Sequence, residues 1–150
     1  MTAPLITADL VDLDVPSADR KATVDALARR LQAAGRVTDL DQFLADIEAR
    51  EAQMPTGLEG GIGIPHCRSA AVTEPSLAFG RSTSGVDFGA EDGPANLIFM
   101  IAAPEGGNTD HMTVLAALAR RLVRKSFKNE LLGATDAAAV ATFIQQEVGA

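Results

Sequence analysis

The stretch Asn96-Leu97-Ile98-Phe99-Met100-Ile101-Ala102-Ala103 decides the fold, because it contains the longest apolar run in the chain. Its apolar residues follow one another without the polar alternation of a strand that faces water on one side. Runs of this kind are typical of strands that are covered on both faces. The run is also much shorter than the roughly 20 residues that a membrane-spanning helix needs. We therefore expect a buried central strand over residues 96–103.

Amphipathic helix patterns lie on both sides of this strand in the sequence. Two precede it, over residues 18–34 with Ser17 as the N-cap and over residues 39–52 with Asp39 in a capping box. A third is predicted from Thr109 or Asp110 to about residue 125, and two short helices over residues 127–132 and 136–146. Further strand segments are predicted over residues 5–15 and 76–81, with a turn-rich hairpin or loop over residues 85–94. This order predicts a single α/β domain, a sheet with helices on both sides.

The composition excludes several classes of partner. With 150 residues, 47% of them hydrophobic, the chain is long enough for one domain with a sizeable core. A net charge of −7 argues against binding to nucleic acid or to an anionic membrane, which would require a clustered basic face. The single cysteine and the lack of a signal-peptide pattern favour the cytoplasm. We expect any membrane association to be indirect, through a partner.

The second informative stretch is glycine-rich and reads Gly57-Leu58-Glu59-Gly60-Gly61-Ile62-Gly63-Ile64-Pro65-His66-Cys67-Arg68. It contains four glycines and one of only two histidines. Glycines spaced this densely allow the backbone to approach a ligand closely, and the two isoleucines favour a short strand that ends at the proline. The pattern predicts a histidine held at a strand end on a rigid turn.

This stretch resembles the phosphoryl-accepting loop of the fructose and mannitol family of phosphotransferase-system IIA proteins, type 2. The resemblance is carried by Gly61-Ile62-Gly63-Ile64-Pro65-His66, by Arg50-Glu51 upstream, by residues 93–104, and by His111 with the residues 115–119 that follow it. It extends over most of the chain. It implies a mixed sheet flanked by helices on both faces, and a phosphotransferase that forms a phosphohistidine.

Three residues are the candidate catalytic groups. A neutral imidazole is a good nucleophile near pH 7, so His66 is the candidate phosphoryl acceptor. Arg50 lies in the last turn of the second predicted helix and is a candidate bidentate clamp for the phosphoryl oxygens. His111 lies in the first turn of the third helix, where the helix dipole favours the neutral ring, and the resemblance implies that it orients or stabilises the phosphohistidine.

The glycines are the candidate phosphoryl-binding loop. We expect the backbone N–H groups of Gly60, Gly61 and Gly63 to cradle the phosphoryl oxygens. Two positions depart from the family pattern. Gly63 stands where alanine is commoner, which predicts added flexibility, and Cys67 stands where glycine is common, which predicts sensitivity to oxidation.

The resemblance implies that the chain takes a phosphoryl group from the phosphohistidine of HPr and passes it to a IIB domain of a sugar permease for fructose-type uptake. No metal or other cofactor is required for this transfer, since an arginine and backbone dipoles can stabilise the charge. Two alternatives stay open. One is a regulatory IIA of the nitrogen-related type, and the other is a metal-binding module built from His66, Cys67 and His111. The sugar, the oligomeric state and fusion to IIB or IIC domains cannot be deduced from this sequence.

Overall fold

A computed structural model describes residues 4–106 and 110–149. In chain order, the described residues form six strands: β1 (Val11–Asp12), β2 (Gly57–Leu58), β3 (Ile62–Gly63), β4 (His66–Ser69), β5 (Ser76–Val86) and β6 (Ala95–Pro104). The helices of the same part of the chain are α1 (Arg20–Ala33), α2 (Leu40–Gln53), α3 (Asp110–Leu122), α4 (Lys125–Leu132) and α5 (Ala137–Val148). A short 3-10 helix, Ala8–Leu10, precedes β1.

Strand β6 is the centre of a mixed sheet. The strand order is β1-β5-β6-β3-β2, and β4 also pairs with β6. β5 runs antiparallel to β6, whereas β3 and β4 run parallel to it. Residues 97–103 are each at most 3% exposed. The predicted buried central strand and the α/β fold with a mixed sheet are therefore confirmed.

β3 and β4 lie one after the other along the same edge of β6. Ile62 pairs with Leu97 and His66 pairs with Ile101, so the register is the same on both sides of the short break at residues 64–65. The backbone N–H of Ile101 donates to the carbonyl of Pro65 across this break at 3.0 Å. The predicted short strand before the proline is confirmed, and the histidine begins a second strand.

Side-chain caps set the starts of the first two helices. Asp19, and not Ser17, caps α1, because its carboxylate accepts from the N–H of Ala22 at 2.8 Å while the Ser17 hydroxyl donates to the carbonyl of Val15. Asp39 caps α2 as predicted and accepts from the N–H of Gln42 at 3.1 Å. The reciprocal half of the capping box is not made, since the Gln42 side chain donates to Asp46.

The helices pack on the sheet in two groups. α1 contacts β5 and α2 contacts β4, and these two helices contact each other. α3 contacts β6, α4 and α5. α3 ends at Leu122 and not near residue 125, because Lys125 already begins α4; the predicted cap residue Thr109 lies outside the described residues. None of the described helices combines the length and apolar character that crossing a membrane requires.

Candidate functional site

His66 is half-buried at the start of β4, and one of its ring nitrogens has a defined partner. Nδ1 lies 2.7 Å from the carbonyl oxygen of Ile64. A carbonyl oxygen can only accept, so Nδ1 carries the proton and donates it. In the neutral ring the lone pair then belongs to Nε2. Nε2 is therefore the nucleophilic atom of this imidazole.

The surroundings of His66 favour the neutral ring. Burial has the largest effect and lowers the pKa of His66 below its ordinary value, while the hydrogen bond to Ile64 raises it. The charge of Arg50 lowers this pKa further, and the charge of Glu51 raises it. The net shift is downward, so the neutral, nucleophilic imidazole predominates at pH 7.

Arg50 comes to the site from the last turn of α2. Its Nη1 lies 3.4 Å from the carbonyl of Met54, a long hydrogen bond that leaves most of the guanidinium's donors available. Its positive charge lowers the pKa of His66, so it is close enough to act electrostatically on the imidazole. The charge of Arg50, in the last turn of α2, thus acts on His66 electrostatically, and the clamp role stays a prediction.

Glu51 is a functional candidate that sequence reasoning missed. Its side chain is 4% exposed, and its two carboxylate oxygens accept from the N–H of Thr56 at 2.8 Å and from the Thr56 hydroxyl at 2.7 Å. The carbonyl of Thr56 in turn accepts from the N–H of Ile64 at 3.1 Å. A hydrogen-bonded path therefore runs from Glu51 to the residue that holds the His66 ring. A glutamate in a last helical turn gives no sign in the sequence that it is buried.

The structure does not bring Gly60 and Gly61 to His66. The Gly60 N–H donates to the carboxylate of Asp92 at 2.9 Å, and the Gly61 carbonyl accepts from the N–H groups of residues 96 and 97. Four residues of nearly extended chain lie between Gly61 and His66, and five steps of about 3.3 Å make a distance of about 16 Å. Gly60 and Gly61 have positive φ angles of 90° and 80°, which the turn between β2 and β3 requires. This geometry does not support their predicted contact with the phosphoryl group.

Gly63 lies closer to His66, and its role is packing. It pairs with Gly57 of β2 on one side and with Ile98 of β6 on the other. A Cβ atom added at Gly63 would lie 2.7 Å from Cδ2 and 2.8 Å from Cγ of Phe88, whose ring is buried. The missing side chain therefore makes room for an aromatic ring, while the added flexibility and the contact of the Gly63 N–H with the phosphoryl group stay predictions.

Cys67 does not share the chemistry of its neighbour. Successive residues of a strand point to opposite faces, so the side chains of His66 and Cys67 in β4 do not converge on one ion. Burial raises the pKa of the Cys67 thiol to about 12, which leaves it protonated and unreactive at neutral pH. The opposite directions of these two side chains argue against the alternative metal site through adjacent ligands, and the buried, protonated thiol argues against the predicted sensitivity to oxidation. Across the described residues, no cluster of three or more His, Cys, Asp or Glu side chains suits a metal ion.

For His111 the structure describes the backbone but not the side chain. Its backbone lies in the first turn of α3, as the sequence predicts. Its side chain lies outside the described part of the structure, so its helper role stays a prediction.

An α/β domain with a half-buried, neutral histidine that is influenced by the charge of an arginine is compatible with a phosphocarrier that forms a phosphohistidine. The model of the family described as "Phosphoenolpyruvate-dependent sugar phosphotransferase system, EIIA 2" matches residues 4–147. The chain belongs to this family. It is therefore a phosphotransferase of that system, one that works through a phosphohistidine.

Relatives and a solved structure agree with this assignment. The chain is 41% identical over 127 residues to the "PTS system fructose-specific EIIA component" of Haloferax volcanii, covering 84% of this chain and 82% of that protein. It is 38% identical over 143 residues to the fructose-specific EIIABC component of Bacillus subtilis, covering 95% of this chain but only 22% of that longer protein. The nitrogen regulatory protein IIA-Ntr from Neisseria meningitidis superposes with a TM-score of 0.85 at 29% identity, covering 93% of this chain and 96% of that one.

Proposed function

We propose that Nε2 of His66 accepts a phosphoryl group from the phosphohistidine of HPr and passes it to the cysteine of a IIB domain. The observation that carries this proposal is the 2.7 Å contact from Nδ1 to the Ile64 carbonyl, which leaves the lone pair on Nε2. In the first step the N–P bond of the donor breaks as the Nε2–P bond forms. In the second step Nε2–P breaks, an S–P bond forms, and His66 returns to its neutral state.

Charge stabilisation of the transferring group comes from the chain itself. A loose phosphoryl transition state requires positioning and positive charge more than covalent chemistry. Arg50 supplies a full positive charge beside His66, and we assign His111 the helper role that the family resemblance implies. This pair and the backbone dipoles make the transfer independent of a metal or other cofactor.

The sugar system is proposed to be of the fructose type. Two relatives that are fructose-specific by name share 38% and 41% identity with the chain, against 29% for the nitrogen regulatory protein. We place the chain in the cytoplasm, since its proposed donor is charged from phosphoenolpyruvate there, and any membrane contact is indirect through the permease.

Intact-mass spectrometry tests the proposal directly. The protein is incubated with phosphoenolpyruvate, Enzyme I and HPr, and compared with His66→Ala and with His111→Ala, the change at the only other histidine. We expect one acid-labile phosphoryl group on the wild type, none on His66→Ala, and slower but complete addition on His111→Ala. A phosphoryl group that persists on His66→Ala refutes the assignment.

A second incubation separates the two physiological roles. The phosphorylated protein is mixed with an isolated fructose-type IIB domain, and the transfer to its cysteine is followed by mass. Transfer within seconds supports the permease-feeding role. If His66 is phosphorylated but no fructose-type or mannitol-type IIB domain accepts the group, the regulatory alternative takes its place.

A further inference from the structure

We propose that Glu51 is a positioning residue that fixes the tautomer of His66 by withdrawing the Thr56 N–H from the carbonyl of Ile64. The inference rests on the proposed function of His66 and explains how the chain keeps the ring proton on Nδ1 and off Nε2. Glu51 acts through two other residues and does not touch the transferring group.

The β2–β3 hairpin shows what Glu51 changes. Gly57 pairs with Gly63 and Leu58 pairs with Ile62, so the next pair of the antiparallel register is Thr56 with Ile64. Hydrogen-bonded and non-hydrogen-bonded pairs alternate in such a ladder, and the N–H of Ile64 does donate to the carbonyl of Thr56 at 3.1 Å. In a regular ladder Thr56 would return the second bond, from its N–H to the Ile64 carbonyl.

The second hydrogen bond, from the Thr56 N–H to the Ile64 carbonyl, is not made, because Glu51 accepts this N–H instead. The N–H of Thr56 donates to Glu51 at 2.8 Å, and the Thr56 hydroxyl donates to the other carboxylate oxygen at 2.7 Å. Charge-assisted hydrogen bonds are stronger than neutral ones, and this carboxylate is 4% exposed, so water does not compete for it. Glu51 therefore holds the Thr56 N–H away from the carbonyl of Ile64.

The carbonyl of Ile64 can then accept a hydrogen bond from the imidazole of His66. It accepts from Nδ1 of His66 at 2.7 Å. The ring of Pro65 restricts the backbone of the preceding residue, Ile64, and so limits the directions in which the Ile64 carbonyl can point. The hydrogen bond at one ring nitrogen decides which of the two is protonated. Without an acceptor at Nδ1, the proton can occupy Nε2 and block the attacking lone pair.

Replacing Glu51 returns the hairpin to its regular ladder. In Glu51→Met the Thr56 N–H can donate to the Ile64 carbonyl; this oxygen has two lone pairs and can accept both bonds, but the ladder bond turns it toward Thr56 and weakens its bond to Nδ1 of His66. The tautomer mixture alone costs only a few-fold in rate, but loss of the Nδ1 bond also lets the ring turn, and a misplaced nucleophile costs on the order of 10- to 100-fold, so we expect phosphoryl acceptance to slow by about that larger factor. Glu51→Gln should rescue it to within about threefold, since an amide can accept from the Thr56 N–H and donate to the Thr56 hydroxyl.

The test reads the tautomer by ¹⁵N NMR of the histidine ring and the rate by mass spectrometry. The variants are Glu51→Met, Glu51→Gln and Thr56→Val, which keeps the N–H bond to Glu51 and should slow acceptance only about fivefold. Thr23→Val is the matched control, because Thr23 of α1 is also buried and its hydroxyl donates to the carbonyl of Pro16, which precedes the helix. We expect a Nδ1-protonated ring in the wild type, Glu51→Gln and Thr23→Val, and a mixture of tautomers in Glu51→Met.

Two outcomes overturn the inference. One is a wild-type spectrum with the proton on Nε2, which decides the question even if Glu51→Met does not fold. The other is a folded Glu51→Met with the wild-type spectrum and a rate within twofold of the wild type. Failure of the proposed function looks different, since the wild type then gains no phosphoryl group whatever its tautomer.

Discussion

The substitution Gly63→Ala tests whether Phe88 fixes the strand that leads to His66. The added methyl carbon would lie 2.7, 2.8 and 3.2 Å from three carbons of the Phe88 ring. Carbon atoms in favourable contact lie 3.5–4.0 Å apart, so the shortest approach is too close by about 0.8 Å. The Phe88 ring is 2% exposed and cannot turn into solvent, so either the ring or β3 must move.

The expected cost follows from two opposing effects. Overpacking of a dense core costs about 1–3 kcal/mol. Replacing glycine by alanine also restricts the unfolded chain, which stabilises the folded protein by about 0.4–1 kcal/mol. The middle of both ranges leaves a net loss of about 1.3 kcal/mol in the free energy of unfolding. The backbone angle at Gly63 adds nothing to this cost, because its φ is not positive.

Urea denaturation measures this loss. The wild type is compared with Gly63→Ala, with Phe88→Leu and with the double variant, which opens space beside the new methyl group. We expect Gly63→Ala to cost about 1 kcal/mol less in the Phe88→Leu background, a coupling typical of residues in contact. Gly133→Ala is the matched control, since a Cβ there would lie 3.5 Å from its nearest neighbour and should change the stability by at most about 0.5 kcal/mol. A Gly63→Ala variant as stable as the wild type, with no coupling to Phe88, would refute this reasoning.

Three further predictions concern the titrating groups. Arg50 lowers the pKa of His66, so Arg50→Gln should raise that pKa in an NMR titration of the imidazole; an unchanged or lower value contradicts this electrostatic effect. Because the net shift of the His66 pKa is downward, the rate of phosphoryl acceptance should fall with decreasing pH with a midpoint below about pH 6.5, the ordinary value for histidine. A midpoint at or above pH 6.5, with HPr kept fully phosphorylated, would contradict this. With a pKa of about 12 for Cys67, on the order of one thiol in ten thousand is ionised at pH 8, so Ellman's reagent should react slowly with the folded protein and rapidly in urea. Equal rates in both states would show that Cys67 is exposed.

Local patterns account for the parts of the fold that the sequence predicts correctly. The apolar run of residues 96–103 becomes β6, and Asp39 caps α2, because both signals lie within a few residues of the element they specify. The prediction of His66 at a strand end on a turn is only partly right, since β3 ends at Gly63 but His66 is itself the first residue of β4. The approach of Arg50 to the phosphoryl group stays a prediction that rests on the end of α2 shortly before the loop.

The errors concern contacts between residues that are distant in the sequence. Asp92 takes the N–H of Gly60, and Phe88 fills the space beside Gly63, across separations of 32 and 25 residues. The residue pattern within the glycine-rich stretch cannot predict distant partners such as Asp92 and Phe88. β4 has only four residues, too few for an alternating pattern to predict that His66 and Cys67 point to opposite faces.

The adjacent pair Arg50 and Glu51 acts on His66 with opposite charge, which suits a group that must be released again. In the free protein Arg50 lowers the pKa of His66 and Glu51 raises it, so burial accounts for most of the neutrality of the ring. A phosphoryl group on Nε2 would be attracted by Arg50, repelled by Glu51 and partly desolvated by the same burial. The attraction stabilises its arrival, and the other two effects keep the phosphohistidine from becoming a stable end product. A relay requires this balance, because a carrier that binds the group too tightly cannot pass it on.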